Sequence, residues 1–192
     1  MNLDRETAVA LLNEKVTTEH IIRHSYAVEA VMRKLAQKFD PENEALWAMS
    51  GLLHDLDNDL VDWQSNPSLH GPKTVEVLKE IAFGDETMYH AILAHNPATK
   101  TSINTTLDRC IYAGDPITGF INAIALVYPD KNIHSVKVKS ITKRMKETRF
   151  AAGADREAMW SIETLMPFNE FAELALNAMK EISEEIGFPK PE

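Results

Sequence analysis

Cysteine occurs once in 192 residues, at Cys110, so no disulfide can form within the chain, which fits a reducing cytoplasm. No run approaches the roughly 18 consecutive apolar residues that span a bilayer. The opening stretch, MNLDRETAVALLNEK, carries acids and lacks the apolar core of a secretory signal. Neither export nor a membrane partner is therefore expected. Strand signals are nearly absent, with no long period-two run bounded by turn residues, and repeats, low-complexity tracts and linker-like stretches are missing too. Also missing is any excess of basic residues: 20 Lys and Arg face 29 Asp and Glu, a net charge of −9. Affinity for long DNA or RNA comes largely from neutralising phosphates, so this balance argues against a long nucleic acid as main partner. A small phosphorylated ligand needs only a local cationic patch.

What is present is helical periodicity, and the expected fold is all-α, one domain over 1–192. Its core covers about 18–128, with a C-terminal helical extension over about 130–188. Asp4 can cap a first helix through Ala8, Leu11 and Leu12, and Thr17 or Thr18 starts a longer one through Ile21, Val28, Met32, Leu35 and Phe39. Asp40-Pro41 breaks it. The next helix carries Leu46, Trp47, Met49, Leu52 and Leu53 and ends around LLHDLD. Asn58 to Pro67 reads as a loop, and a helix starts near His70-Gly71-Pro72. Asp85 caps another that stops at Asn96-Pro97. Leu107 to Tyr112 and Ile117 to Val127 read as helical segments interrupted at Gly114-Asp115-Pro116, because the residue before a proline disfavours the α region. A basic segment, Lys137 to Arg149, precedes two closing helices around Trp160 and Phe171 to Ile182. Pro189 to Glu192 is expected to fray.

The informative anomaly is where polar residues fall. His54 and Asp55 end an otherwise apolar helix, where a charge is expensive unless paired or bound to metal. Adjacent helix positions point about 100° apart, so the two can flank one ion from either side. His24 sits among Ile21, Ile22, Ala27 and Val28. Each of these, with Asp115, has a bland reading when taken alone: a hydrogen-bonded histidine, a common dipeptide, a helix cap. Together, on three helices, they are what a bundle needs to build a metal site in its core.

The order His24, then His54-Asp55 within LLHDLD, then Asp115 within YAGDPITGF resembles the HD-domain phosphohydrolase superfamily over roughly residues 18 to 128. That resemblance implies a helical bundle in which His24, His54, Asp55 and Asp115 hold a divalent metal. HGP at His70 to Pro72 and LAHN at His95 are similar to a binuclear branch that includes enzymes splitting dinucleoside tetraphosphates. By that resemblance His70 and His95 hold a second metal and Asp55 bridges the two. His20 lies on the face of His24, and His90 and His134 read as structural.

Imidazoles mixed with carboxylates suit Fe, Mn, Zn, Ni or Co. The absence of cysteine from the set excludes a structural zinc knuckle, and HExxH spacing is missing. One or two such ions can activate water toward a phosphate ester or anhydride, so the expected reaction is phosphohydrolysis of a small nucleotide or other phosphorylated metabolite. Lys73 and the cluster Lys139, Lys143, Arg144 and Lys146 are the candidate phosphate partners. Asp57 and Asp59, which follow the His54-Asp55 pair, are candidates for outer partners of the ligands or for a proton shuttle, Asp59 being the shuttle candidate, and the bland reading of both is the start of a polar loop. The same resemblance leaves open a mixed-valence di-iron oxygenase and a non-catalytic nucleotide-binding module. The oligomeric state, a homodimer included, stays open.

Overall fold

A computed structural model describes residues 3–190, which form nine α-helices, joined by turns and short 3-10 helices, and no strand. These are α1 (Arg5–Lys15), α2 (Glu19–Phe39), α3 (Glu44–Leu53), α4 (Pro72–Glu80), α5 (Glu86–His95), α6 (Thr106–Val127), α7 (Val138–Arg144), α8 (Arg156–Trp160) and α9 (Phe168–Glu181). The caps are those that the side chains dictate. Asp4 accepts from the Thr7 amide, Asp85 from the Thr87 and Met88 amides, and Thr105 and Asp108 form a reciprocal capping box at the head of α6.

Helix α3 is buried on every side from Leu46 to Leu53 and lies against α1, α2, α5 and α6. A helix apolar all round belongs in the middle of a core, and its C-terminal end therefore delivers His54 into a fully buried position. Helix α6 also runs through the core, touching α2, α5, α8 and α9. By length and composition it could cross a bilayer, but Ile111, Ala113, Ile117, Phe120, Ile121 and Ile124 are buried inside the bundle.

Met32 of α2 is gripped between two glycines. A Cβ on Gly51 of α3 would fall 2.9 Å from Met32 Cγ and 2.9 Å from the Val28 carbonyl oxygen, and one on Gly114 of α6 would fall 3.3 Å from Met32 Sδ. These close approaches draw α3 and α6 onto α2, Gly51 three residues before His54 and Gly114 next to Asp115. Gly51→Ala is expected to cost about 2 kcal/mol of overpacking, because the backbone oxygen cannot step aside, and to lower Tm by about 4–8 °C. Gly119→Ala, with nothing within 4 Å of the new Cβ, is expected to raise stability by about 0.5–1 kcal/mol. Thermal unfolding of the pair tests the contrast.

Two expectations are corrected. Helix α6 is not interrupted at Gly114-Asp115-Pro116; it runs unbroken from Thr106 to Val127 with Pro116 inside. Buried residues on both sides of the proline hold the two halves in line, and the packing overrides the local preference. The tail does not fray from Pro189: the Asn132 side-chain amide donates to the Pro189 carbonyl at 2.9 Å and Phe188 is buried. Pro191 and Glu192 lie outside the described residues. The basic segment is helical only over α7, which ends at Arg144.

Candidate metal centre

His24 of α2, His54 at the end of α3, Asp55 in the turn after it, His70 before α4, His95 at the end of α5 and Asp115 within α6 converge on one place. His24 Nε2 lies 3.0 Å from Asp115 Oδ1 and 3.6 Å from Asp55 Oδ2. His54 Nε2 lies 3.2 Å from Asp55 Oδ1 and 3.6 Å from Asp115 Oδ1. His70 Nε2 is 3.0 Å and His95 Nε2 3.7 Å from Asp55 Oδ1, and those two nitrogens are 3.0 Å apart. Two groups have donor atoms close enough to share an ion, His24–His54–Asp115 and His54–Asp55–His95.

Each ring is turned the same way, with Nε2 inward and Nδ1 engaged outside. His54 Nδ1 lies 2.8 Å from the Gly51 carbonyl, and His95 Nδ1 meets the Ile92 carbonyl. Carbonyls only accept, so both rings carry a proton on Nδ1, which leaves Nε2 as the atom that can turn to an ion. His24 Nδ1 is 3.0 Å from the Thr118 hydroxyl, whose single proton is donated to the Asp115 carbonyl; the hydroxyl therefore accepts from His24. His70 Nδ1 donates to Asp57 Oδ1 at 2.7 Å. Metal-ligating histidines are oriented by this kind of outer partner.

The residues fit a divalent ion on a further count. His54 Nε2 is buried and makes no well-formed hydrogen bond, with only the Asp55 and Asp115 carboxylates at 3.2 and 3.6 Å beside it, and an ion bound among them would satisfy all three. The electrostatics of the protein without metal point the same way. Burial pushes the His54 ring down, but Asp55 and Asp115 outweigh it and raise it to about 9. Burial likewise opposes His70, while hydrogen bonds to Asp55 and Asp57 raise it to about 10. His95 is lowered to about 4 by burial and by its neighbours His54 and His70. Asp55 and Asp115 resist burial and stay well below the usual carboxylate range, Asp55 through His54 and His70, Asp115 through His24 and His54.

These shifts set a pH dependence for chelated protein. The raised His54 and His70 contribute stability that is fully present below about pH 6.5 and is lost as pH climbs through 9 to 10. The depressed His95 contributes stability present above 6.5 and lost as pH falls toward 4. Thermal unfolding with chelator is expected to show a maximum near pH 6.5. Divalent metal must displace the protons on His54 and His70, so its stabilising effect is expected to grow as pH rises toward 9.

The other candidates fall elsewhere. Asp59 does not face the cluster: it accepts from the Thr17 and Thr18 amides at 2.7 and 2.9 Å and from both hydroxyls. It ties the loop after α3 to the head of α2, and the proton-shuttle expectation is corrected on that ground. Asp57 is the loop carboxylate that supports the site. Fully buried, it accepts from His70 Nδ1 and from the Gly71 and Thr74 amides at 2.7 and 3.0 Å. Lys73 is paired with Glu76 at 2.6 Å. Lys143 and Arg144 border a separate recess beside Ile124, Val127 and Tyr128, and Lys139 and Lys146 are exposed on or just after α7. None of the five lines the cleft above the cluster, so the expected phosphate partners are corrected as well. His90 bonds to Asp108 and His134 to Ser183. Cys110 is buried, its thiol pushed up to about 12 by desolvation, which removes it as a nucleophile.

A cleft of about 550 Å³ opens over the cluster, with His24, Asp55, His70 and Asp115 at its floor. Its wall on α2 carries Arg23 and His20, and on α6 Gly119, Asn122 and Leu126; Trp63, Asn58 and Phe188 close it from the loop and the C-terminal end. Trp63 lies 6.3 Å from the His70 ring centre. Arg23, which sequence reading passed over for lysine clusters, shares a stripe with His20, His24 and Ala27 at helical spacing.

A helical bundle that gathers four inward imidazoles and two carboxylates at the foot of a cleft defines a class of candidate metal-site proteins. The chain matches the HD domain over residues 21–118, about half its length, and belongs to the HD-domain family. HD domains bind divalent metals and are generally metal-dependent hydrolases. No curated protein and no solved structure shows a significant match.

Proposed function

We propose that this HD-domain protein is a phosphohydrolase acting on a small phosphorylated metabolite, a nucleotide included, with His24, His54, Asp55, His70, His95 and Asp115 holding two divalent ions. The observation that carries the reading is the position of Asp55. Its Oδ1 faces the Nε2 atoms of His54, His70 and His95, while its Oδ2 faces that of His24, the disposition expected of a shared ligand. Two ions held there would lower the pKa of a shared water and stabilise the attacking and leaving oxygens of a displacement at phosphorus.

The chain's own contribution is orientation and exclusion of water. Carbonyls of Gly51 and Ile92, the Thr118 hydroxyl and the Asp57 carboxylate fix the four rings without adjustment during the reaction. Trp63 beside His70 and the apolar walls screen the floor of the cleft in part from bulk solvent, and charge interactions made in such surroundings are stronger than in open water. Asn58 and Asn122 offer amides to the part of the substrate outside the phosphoryl group.

The test is metal analysis of freshly purified protein, then a phosphate-release screen with the metal found and with manganese in the absence of oxygen. Release under those conditions is the expected result. A requirement for iron and consumption of oxygen would instead identify a di-iron oxygenase. Nucleotide binding without turnover across several metals would identify a binding module.

A further inference from the structure

The cleft's lining narrows the substrate class, an inference that rests on the phosphohydrolase reading. We propose that the cleft takes a phosphomonoester of a compact, partly apolar alcohol, its single phosphoryl group lying over the His/Asp cluster and against Arg23, and that it discriminates against di- and triphosphates.

The charge distribution carries the argument. Of the residues lining the cleft, Arg23 alone is a lysine or arginine. Its pair with Glu19 is exposed on both sides, and exposed pairs are weak, so the guanidinium is free to turn to a stronger partner. It lies beside Gly187 (φ +91°), where the absence of a side chain leaves it room at the wall of the cleft. Along α2, Arg23 and His24 are successive residues of the stripe that faces the cleft, so one chain segment supplies both a floor ligand and the cation beside it. A planar guanidinium suits two oxygens of one phosphoryl group.

Further phosphoryl groups would meet no second fixed cation. Each adds negative charge to a protein already at −9, and the cleft offers no second lysine or arginine to meet it. Away from the cluster the walls are largely apolar, with Ile21, Leu126, Met179, Ile186 and Phe188, and the Asn58 and Asn122 amides, with His20, interrupt them. Such walls suit an uncharged leaving group carrying a ring or short chain, with hydroxyl, carbonyl or amide groups for the two asparagines. At about 550 Å³ the cleft is of ordinary small-molecule size. In the reaction, the oxygen of water bonds to phosphorus as the bond from phosphorus to the alcohol oxygen breaks. One proton of the water ends on the released alcohol and the other stays with the phosphate, so no further reactant is needed.

The experiment uses manganese-loaded full-length protein with adenosine mono-, di- and triphosphate, p-nitrophenyl phosphate and diadenosine tetraphosphate. Expected is a kcat/KM about 100-fold higher for the monoesters than for the triphosphate. Arg23→Gln is expected to lower monoester kcat/KM about 10- to 100-fold, the loss of one charge-assisted contact, with metal content and Tm unchanged, and Arg23→Lys to recover only part. Calorimetric titration should show orthovanadate binding more tightly than tripolyphosphate, and Arg23→Gln weakening the former. Equal or better hydrolysis of the triphosphate or the tetraphosphate, or an Arg23→Gln variant with wild-type kcat/KM, overturns this inference and leaves the phosphohydrolase reading standing. If metal-loaded protein releases phosphate from none of the compounds, that reading falls and this inference falls with it.

Discussion

Asp55→Ala is expected to lower phosphate release on the order of 10³-fold and to take bound metal from about two ions per chain to one or fewer. The size of the effect follows from position. Asp55 reaches Nε2 atoms on both sides of the cluster, 3.0 Å from His70 and 3.2 Å from His54 through one oxygen and 3.6 Å from His24 through the other. Asp115 approaches only His24 and His54, at 3.0 and 3.6 Å. Losing Asp55 should therefore disturb both ions, whereas Asp115→Ala should weaken mainly the one near His24. Asp55→Asn keeps the shape but not the charge, so it is expected to fail nearly as badly. Turnover that survived in Asp55→Ala would remove the cluster from the mechanism altogether.

Asp57→Ala is expected to cost about 10- to 100-fold in affinity for the metal near His70, the usual effect of deleting an outer partner of a ligating histidine. It should also cost about 3 kcal/mol of stability, because it strips three partners at once. His70 Nδ1 loses its acceptor, and the Gly71 and Thr74 amides are left unmade in a buried turn. Asp57→Asn separates the two roles: its amide oxygen can still accept from one or two of the N–H groups, but no charge remains to raise the basicity of His70. The expected pattern is a stability loss smaller than in Asp57→Ala with much of the metal defect retained. Metal titration followed by thermal unfolding of both variants checks it, and a variant that loses stability but binds metal as wild type does would reduce Asp57 to a structural residue.

The helices were legible because their caps and stripes are local: Asp4 and Asp85 sit where the apolar spacing begins. The cluster was legible because His24, His54-Asp55 and Asp115 are polar residues in apolar helices, an anomaly visible without coordinates. His70 and His95 could be read only through the flanking HGP and LAHN. What stayed hidden depends on direction in turns and on which face a neighbour covers. Asp57 and Asp59 are two acids in one short polar loop, and only the course of the chain after His54 sends the first to His70 and the second to Thr17 and Thr18. Charge density favoured the lysines around α7, yet those lie beside Ile124 and Val127 and not on the stripe of α6 that carries Asp115, Asn122 and Leu126. Arg23 could have been found from its place on the stripe of His20 and His24. Pro116 was read as a break because its local preference is plain and the packing that overrides it is not.

The most direct test of the central claim is the metal-to-protein ratio of protein purified without oxygen and chelators, measured beside His70→Ala and His24→Ala. Two ions shared at Asp55 predict a ratio of about two in the wild type and about one in each variant. A wild-type ratio that stays near zero after reconstitution with iron, manganese, zinc, nickel and cobalt would contradict the account.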